Sequence, residues 1–233
     1  MAGTLALVGS GEFLEVMRPI DAGLLDLARQ TGRAHVVVIP TAAVPDGPQV
    51  VDRWATLGRA HFAALGVSVD VIPIGAGEHA DDPQVAQRIA AASLVYFSGG
   101  KPGFLLDTLR GTSAWAAVLE VYAGGGVIAG CSAGAMILGS AMVSPRLSWP
   151  LDTRPAFGLV PGSLILPHYD ALPGRLRGLA LRGLSAALTV IGVDEETALV
   201  QDGDRWQVLG RSGVEIRRAG GRTRYRSGDT LTL

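Results

Sequence analysis

One serine in the sequence has the surroundings of a catalytic nucleophile. An apolar segment leads into the stretch Gly130–Gly134 (GCSAG), and a helix is expected to begin directly after it. A Gly-x-Ser-x-Gly turn between a strand and a helix exposes the serine hydroxyl at the apex of a sharp bend, and the flanking glycines leave room for that bend. This register places Ser132 at the apex. Cys131 could take that place only if positions 129 and 133 were glycine, and both are alanine.

A serine nucleophile needs a base, and histidine is the side chain that most often fills that role. The sequence has four histidines. His168 follows the predicted strand Ser163–Leu166, so it is expected at the carboxyl edge of the sheet, where the sites of open α/β sheets lie. His35 opens a strand, His61 falls in a predicted helix, and His79 lies in an acidic loop. We therefore predict His168 as the general base.

A second loop that contains glycines is expected at the same edge. Residues 96–102 (YFSGGKP) follow one predicted strand and precede a predicted helix. Backbone N–H groups in such a loop can stabilise the negative charge that develops on a carbonyl oxygen during acyl transfer. The amides of Gly99 or Gly100, together with that of Ala133, are predicted to form an oxyanion hole.

Short apolar segments alternate with longer amphipathic ones up to about residue 140, which predicts a doubly wound parallel sheet with helices on both faces. The predicted strands are Thr4–Val8, His35–Ile39, Val67–Ile72, Leu94–Phe97 and Val127–Ala129. The predicted helices are Pro19–Gln30, Gln49–Leu65, Asp82–Ala92, Gly103–Gly111 and Ser113–Ala123.

The alternation ends near residue 140. A loop is predicted over Ser144–Phe157 and a basic amphipathic helix over Leu172–Ala187. From Thr189 onward, repeated turn signals predict strands joined by hairpins. Because no linker separates two halves of the chain, we predict one domain, 1–233, with residues 188–233 as its strand-rich C-terminal part.

The composition excludes several classes of function. The formal net charge is −1, so no electrostatic attraction to nucleic acid or to an anionic membrane is expected. Cys131 is the only cysteine, which excludes an intramolecular disulfide and a cysteine-cluster metal site and favours a cytoplasmic location. The uncharged run Val121–Pro145 is long enough to span a membrane, but six glycines interrupt it, and we interpret it as strand, turn and helix.

Four segments together resemble one protein family. They are Leu94–Leu106 (LVYFSGGKPGFLL), the Gly130–Gly134 turn, Leu159–Asp170 (LVPGSLILPHYD) and Ile191–Val200 (IGVDEETALV). In their order along nearly the whole chain they are similar to the serine peptidases of the dipeptidase E and cyanophycinase family. The resemblance implies the class I glutamine amidotransferase-like fold, a three-layer α/β/α sandwich with a mainly parallel, flavodoxin-like sheet. It also implies Ser132 as the acyl-forming nucleophile, His168 as its base, and no cofactor.

The acidic member of a triad is harder to assign. The peptidases of this family use an acid between the serine and the histidine, where this sequence offers only Asp152, at a spacing that does not match cleanly. Asp170, two residues after His168, imitates the arrangement of the related amidotransferases. We favour Asp152 and then Asp170. Other acids at predicted strand ends could also orient the imidazole: Glu12, Asp194, Glu195 and Glu196.

Four residues are predicted to contact the substrate: Lys101, Asp170, Arg175 and Glu195. Lys101, the only lysine, stands beside the predicted oxyanion hole, where it could hold a substrate carboxylate. The predicted function is a serine peptidase that cleaves a peptide or isopeptide bond in a small peptide-like substrate, with aspartyl compounds as candidates. The alternative is a glutaminase-like or non-catalytic protein of the same fold that binds a small amide. A homodimer formed through the strand-rich C-terminus is a further expectation.

Overall fold

The structure, a computed structural model, describes residues 3–144, 152–173, 181, 184 and 187–233. Its strands are β1 (Thr4–Val8), β2 (His35–Ile39), β3 (Ser68–Val71), β4 (Leu94–Phe97), β5 (Val127–Cys131), β6 (Gly139–Val143), β7 (Thr153–Pro155), β8 (Val160–Leu166), β9 (Thr189–Val193), β10 (Thr197–Asp202), β11 (Arg205–Gly210), β12 (Gly213–Arg218), β13 (Gly221–Arg226) and β14 (Thr230–Leu231). Its helices are α1 (Arg18–Arg29), α2 (Pro48–Ala64), α3 (Pro83–Ala90), α4 (Pro102–Leu109), α5 (Ser113–Ala123) and α6 (Ala133–Met136), with short 3-10 helices over Glu15–Met17 and Thr41–Asp46.

The larger of two sheets contains the β-branched, apolar segments that alternate with helices along the chain. Its eight strands lie in the order β14-β11-β10-β1-β5-β4-β2-β3. The strands from β1 to β3 in this order are parallel, and β10, β11 and β14 extend the sheet in antiparallel pairs beyond β1. β2 (HVVVI) and β4 (LVYF) are buried almost throughout because helices cover both faces. The predicted α/β class with a mainly parallel sheet is confirmed.

Two apolar cores lie on opposite faces of this sheet and divide the molecule into layers. Successive residues of β1 alternate between them: Leu5 and Leu7 belong to one core, and Ala6 and Val8 to the other. Helices α3, α4 and α5 cover the first core, and α1 and α2 cover the second. Each fully buried leucine or valine contributes about 2 kcal/mol to folding. The parallel strands are therefore held rigidly between the two helical layers.

A second sheet of six strands was not predicted as a separate element. Its order is β13-β12-β9-β8-β6-β7, and β6, β8 and β9 are parallel to one another. β7 lies inside Ser144–Phe157, which we predicted to be a loop, and pairs antiparallel with β6. The predicted helix Leu172–Ala187 lies largely outside the described residues, as do residues 145–151 of the predicted loop.

The two sheets meet where the predicted nucleophile and base lie. β5 of the larger sheet ends at Cys131, and His168 follows β8 of the second sheet. In the described part of the chain, no helix combines the length and the apolar character that crossing a membrane requires. The division of the chain into a single domain remains a prediction.

Candidate active site

The turn that carries Ser132 is as sharp as the sequence predicts. Ser132 links β5 to α6 with a φ of 51° and a ψ of −110°, a strained conformation for a residue with a side chain. A Cβ atom on Gly130 would lie 2.3 Å from the carbonyl oxygen of Gly134, and one on Gly134 would lie 2.5 Å from that of Phe97. Both glycines are therefore required by close backbone approaches, and they hold Ser132 at the apex.

His168 reaches this serine from the second sheet. Its Nε2 atom is 3.0 Å from Ser132 Oγ, within hydrogen-bonding distance. His168 also has a positive φ of 50°, which turns the chain back directly after β8. The arrangement brings together the two residues that the sequence pairs as nucleophile and base.

The carboxylate on the other imidazole nitrogen belongs to Glu195. His168 Nδ1 lies 2.8 Å from Glu195 Oε1, so an Nδ1–H group donates to the carboxylate and leaves Nε2 free to accept the serine proton. Asp170 supports this acid, because its Oδ1 atom accepts the Glu195 backbone N–H at 2.9 Å. We predicted substrate contacts for Glu195 and Asp170; the structure places Glu195 on the imidazole of His168 and Asp170 on the Glu195 backbone, and substrate contact stays a prediction.

The structure does not place Asp152, our favoured acid, on His168. Asp152 lies just before β7, where its Oδ1 atom accepts the N–H of Thr153 at 2.9 Å and its carbonyl oxygen accepts the N–H of Ser144 at 2.8 Å. The carboxylate thus belongs to the turn that starts a strand. Glu195 occupies the position on the imidazole instead.

A signal for Glu195 was present in the sequence. β8 and β9 are neighbouring parallel strands, with Leu166 opposite Gly192, so their carboxyl ends meet at one edge of the sheet. His168 and Glu195 both follow those ends. In the sequence, the predicted strand Ser163–Leu166, the predicted helix Leu172–Ala187 and the strand-like segment from Thr189 form a βαβ pattern, which favours this neighbourhood. We named Glu195 among the acids that could orient the imidazole but favoured Asp152, because the family resemblance implies an acid between the serine and the histidine.

A buried polar cluster holds the histidine from behind. The ring of Tyr169 lies against Gly192, where an added Cβ atom would be 2.4 Å from it. The Tyr169 hydroxyl donates to Glu215 at 2.5 Å and accepts from Arg217 at 2.9 Å. Burial, together with the Glu215 carboxylate, raises the pKa of Tyr169 to about 12. The neighbour of His168 is therefore anchored as a neutral phenol.

A second set of contacts holds the acidic segment Asp194–Glu196, which contains Glu195. Asp194, which is fully buried, accepts hydrogen bonds from Arg224 through both guanidinium N–H groups and from Ser212 at 2.5 Å. Gly9 lies so close to this segment that a Cβ atom there would be 1.9 Å from the carbonyl oxygen of Asp194. The turn after β1 thereby packs directly against the backbone that carries Glu195.

Two amides remain available for an oxyanion. The N–H of Gly99, one of the predicted donors, instead donates to Glu12 Oε1 at 2.8 Å. The N–H groups of Gly100 and Ala133 donate to no acceptor among the residues that the structure describes. Ala133 directly follows Ser132 as the first residue of α6, and Gly100 directly follows Gly99, where an added Cβ atom would lie 3.3 Å from the Cβ of Ser132. Of the three predicted oxyanion donors, the amides of Gly100 and Ala133 therefore remain candidates.

Cys131 is excluded from the apex by its surroundings as well as by register. The residue is completely buried, and its Sγ atom donates to Glu12 Oε2 at 2.9 Å. Burial and the adjacent Glu12 carboxylate raise the pKa of the thiol well above its ordinary value. A neutral, buried thiol is a poor nucleophile.

One predicted substrate cation, Lys101, belongs to the loop over residues 96–102, which we call the oxyanion loop because it carries Gly99 and Gly100. Lys101 precedes α4 and is exposed, and its Nζ atom lies 3.3 Å from Asp46. Its position one residue after Gly100 agrees with a role at the mouth of the site. Arg175, the other predicted cation, lies outside the described residues.

The chain is similar in sequence to known peptidases. The model of peptidase family S51 matches residues 5–209. A cyanophycinase from Trichormus variabilis is 27% identical over 195 residues, which cover 79% of this chain and 63% of that protein. An uncharacterized peptidase from Listeria innocua is 32% identical over 144 residues, or 59% of this chain and 66% of that one. The chain thus matches less than two thirds of the length of the cyanophycinase.

The similarity extends to three dimensions. The crystal structure of a peptidase from an acI-B1 Actinobacterium superposes with a TM-score of 0.90 at 33% sequence identity, covering 100% of this chain and 98% of that one. The family model spans the segments that carry Ser132, His168 and Glu195. On these grounds the chain belongs to peptidase family S51.

Proposed function

We propose that this protein is a serine peptidase that hydrolyses a peptide or isopeptide bond in a small substrate. The observation that carries the proposal is the continuous chain of short contacts from Ser132 Oγ to His168 Nε2, 3.0 Å, and from His168 Nδ1 to Glu195, 2.8 Å. A hydroxyl, an imidazole and a carboxylate in this order form the arrangement that activates a serine for acyl transfer.

The reaction would proceed in two halves. Ser132 Oγ attacks the substrate carbonyl carbon while its proton passes to His168 Nε2, and the amides of Gly100 and Ala133 stabilise the oxyanion. The C–N bond then breaks, His168 returns the proton to the departing amine, and an ester to Ser132 remains. A water molecule attacks this ester, with His168 again taking and returning the proton, and releases the acid. Glu195 stabilises the imidazolium that forms in each half.

For the substrate we propose an acidic or β-linked peptide. The matched relatives named cyanophycinase support a peptide-like substrate, and the exposed Lys101 supports a carboxylate on it. A cytoplasmic location, supported by the single cysteine, and a homodimer through the C-terminal strands are further proposals. Light scattering coupled to size-exclusion chromatography tests the dimer.

Covalent labelling with a fluorophosphonate probe, followed by peptide mapping, tests the proposed activity. We expect an adduct on Ser132, and we expect labelling to vanish in Ser132→Ala and to fall at least about 1,000-fold in His168→Ala. A folded wild-type protein that takes up no probe would contradict the proposal and favour the non-catalytic alternative. An adduct on Cys131 would favour a glutaminase-like chemistry. Once Ser132 is shown to react, a panel of aspartyl, β-linked and neutral dipeptides identifies the substrate class.

A further inference from the structure

The buried carboxylate of Glu12 has no part in the proposed reaction, yet it lies beside the nucleophile. Glu12 follows β1 and is only 7% exposed. Its two oxygens accept hydrogen bonds from residues far away in sequence: Oε1 from the N–H of Gly99 at 2.8 Å, and Oε2 from the thiol of Cys131 at 2.9 Å. A buried carboxyl group is costly unless such partners satisfy it, so its presence calls for a specific reason.

One of these bonds fixes the oxyanion loop. With the Gly99 N–H held by Glu12, the loop is tied on one side of Gly100, and the N–H of Lys101 donates to the carbonyl oxygen of Ala42 at 2.7 Å on the other side. Gly100 itself has a φ of 139° and lies against the backbone of Ala42. The amide of Gly100 is therefore oriented by anchors on both of its neighbours.

The other bond fixes the nucleophile turn. Cys131 directly precedes Ser132, and its thiol is the group that donates to Glu12. A Cβ atom on Gly99 would lie 2.7 Å from Glu12 Oε1 and 3.3 Å from the Cβ of Ser132. The carboxylate, the oxyanion loop and the nucleophile thus meet at one point, and a glycine is needed there.

Glu12 is in turn clamped by its neighbour. Phe13 has a positive φ of 66°, which is strained for an aromatic residue. Its ring packs against Tyr96, Phe62 and Trp54, with centroids 5.3, 6.1 and 6.2 Å away. Such packing keeps the strained backbone in place and prevents the Glu12 side chain from swinging out of the core.

We propose that Glu12 is a positioning residue whose carboxylate holds the Gly100 amide and Ser132 at the mutual distance that transition-state stabilisation requires. The inference rests on the proposed function of Ser132 as the nucleophile. It assigns Glu12 no contact with substrate and no proton transfer. A misplacement of about 1 Å at such a site can cost about 100-fold in rate.

The test compares four variants by their rate constant for fluorophosphonate labelling of Ser132. Glu12→Ala removes both acceptors, and we expect a loss of about 100-fold. Glu12→Asp shortens the side chain so that it cannot reach both donors, and we expect a loss of about 10-fold. Glu12→Gln keeps an acceptor for the Gly99 N–H and should label within about threefold of wild type. Glu15→Ala is the matched control, since Glu15 is exposed on the same turn and pairs only with Arg18 among the described residues.

A second readout reports on the anchor itself. Hydrogen exchange at the Gly99 amide, followed by NMR, should accelerate at least about 10-fold in Glu12→Ala and Glu12→Asp and stay unchanged in Glu15→Ala. If Glu12→Ala does not fold, the comparison of Glu12→Asp with Glu12→Gln carries the test. Wild-type labelling rates in Glu12→Asp, or a Glu12→Gln variant as slow as Glu12→Asp, would overturn the inference. Absence of labelling in wild type would instead contradict the proposed function, and the exchange measurement would then decide whether Glu12 anchors the loop.

Discussion

The two halves of the candidate site are built in opposite ways. The nucleophile half, around Ser132, is enclosed by buried parallel strands and by glycines at which a Cβ atom would meet backbone. The base half consists of loops after β8 and β9, where the side chains of His168 and Glu195 are 42% and 47% exposed. Packing therefore sets the place of the serine, whereas hydrogen bonds set the place of the histidine.

This contrast has an energetic consequence. A dense core resists added volume, so a change in the nucleophile half costs both stability and activity. Exposed contacts such as the hydrogen bond between His168 and Glu195 contribute about 0–1 kcal/mol to stability. Changes in the base half should accordingly lower activity with little effect on stability.

The largest effect is expected from Gly130→Ala. The new methyl group would lie 2.3 Å from the carbonyl oxygen of Gly134, and neither backbone can yield without opening the turn. We expect a loss of about 3 kcal/mol or more in the free energy of unfolding and at least about 100-fold slower labelling of Ser132. Chemical denaturation and probe kinetics measure the two effects.

Gly23→Ala is the control for that substitution. Gly23 lies within α1, and an added Cβ atom there meets nothing within 4 Å. We expect this variant to gain about 0.5–1 kcal/mol in stability with unchanged labelling. Equal stabilities and equal labelling rates of Gly130→Ala and Gly23→Ala would show that close packing does not set the position of Ser132.

Glu195→Gln tests the base half. Its amide cannot stabilise the imidazolium of His168, so we expect labelling to slow by about 100-fold while the melting temperature changes by less than about 3 °C. Asp152→Asn discriminates between the two candidate acids, and we expect it to label within about threefold of wild type. A larger loss in Asp152→Asn than in Glu195→Gln would restore our original assignment.

The smallest effect concerns the support behind the histidine. Burial opposes ionisation of Glu215, but hydrogen bonds from Tyr169 and Arg217 outweigh it and lower its pKa below the ordinary value. A lowered folded-state pKa contributes stability that is fully present above the unfolded pKa of about 4.3 and is lost as the pH falls through the folded value.

We therefore expect the melting temperature of wild type to decline below about pH 4.5 and Glu215→Gln to show a shallower decline from a lower starting value. Melting curves recorded between about pH 3 and 7 measure this difference. Parallel curves for the two proteins would show that Glu215 does not couple protonation to the stability of the base half.

Much of the nucleophile half could be predicted from the amino-acid sequence. The turn that exposes Ser132 depends on residues within two positions of it, and the parallel sheet follows from local alternation of strands and helices. Such local constraints are visible in a single sequence because each involves only near neighbours. His168 was found by the same logic, since it follows a recognisable strand.

Which acid lies on His168 and which amides remain free depend on the tertiary structure. The choice of Glu195 over Asp152 depends on the parallel pairing of β8 with β9, which brings the residues after the two strand ends into contact. The choice of Gly100 over Gly99 depends on Glu12, 87 residues earlier in the chain. Both outcomes come from contacts between distant segments, and local residue patterns carry no information about which of several equivalent groups such a contact will engage.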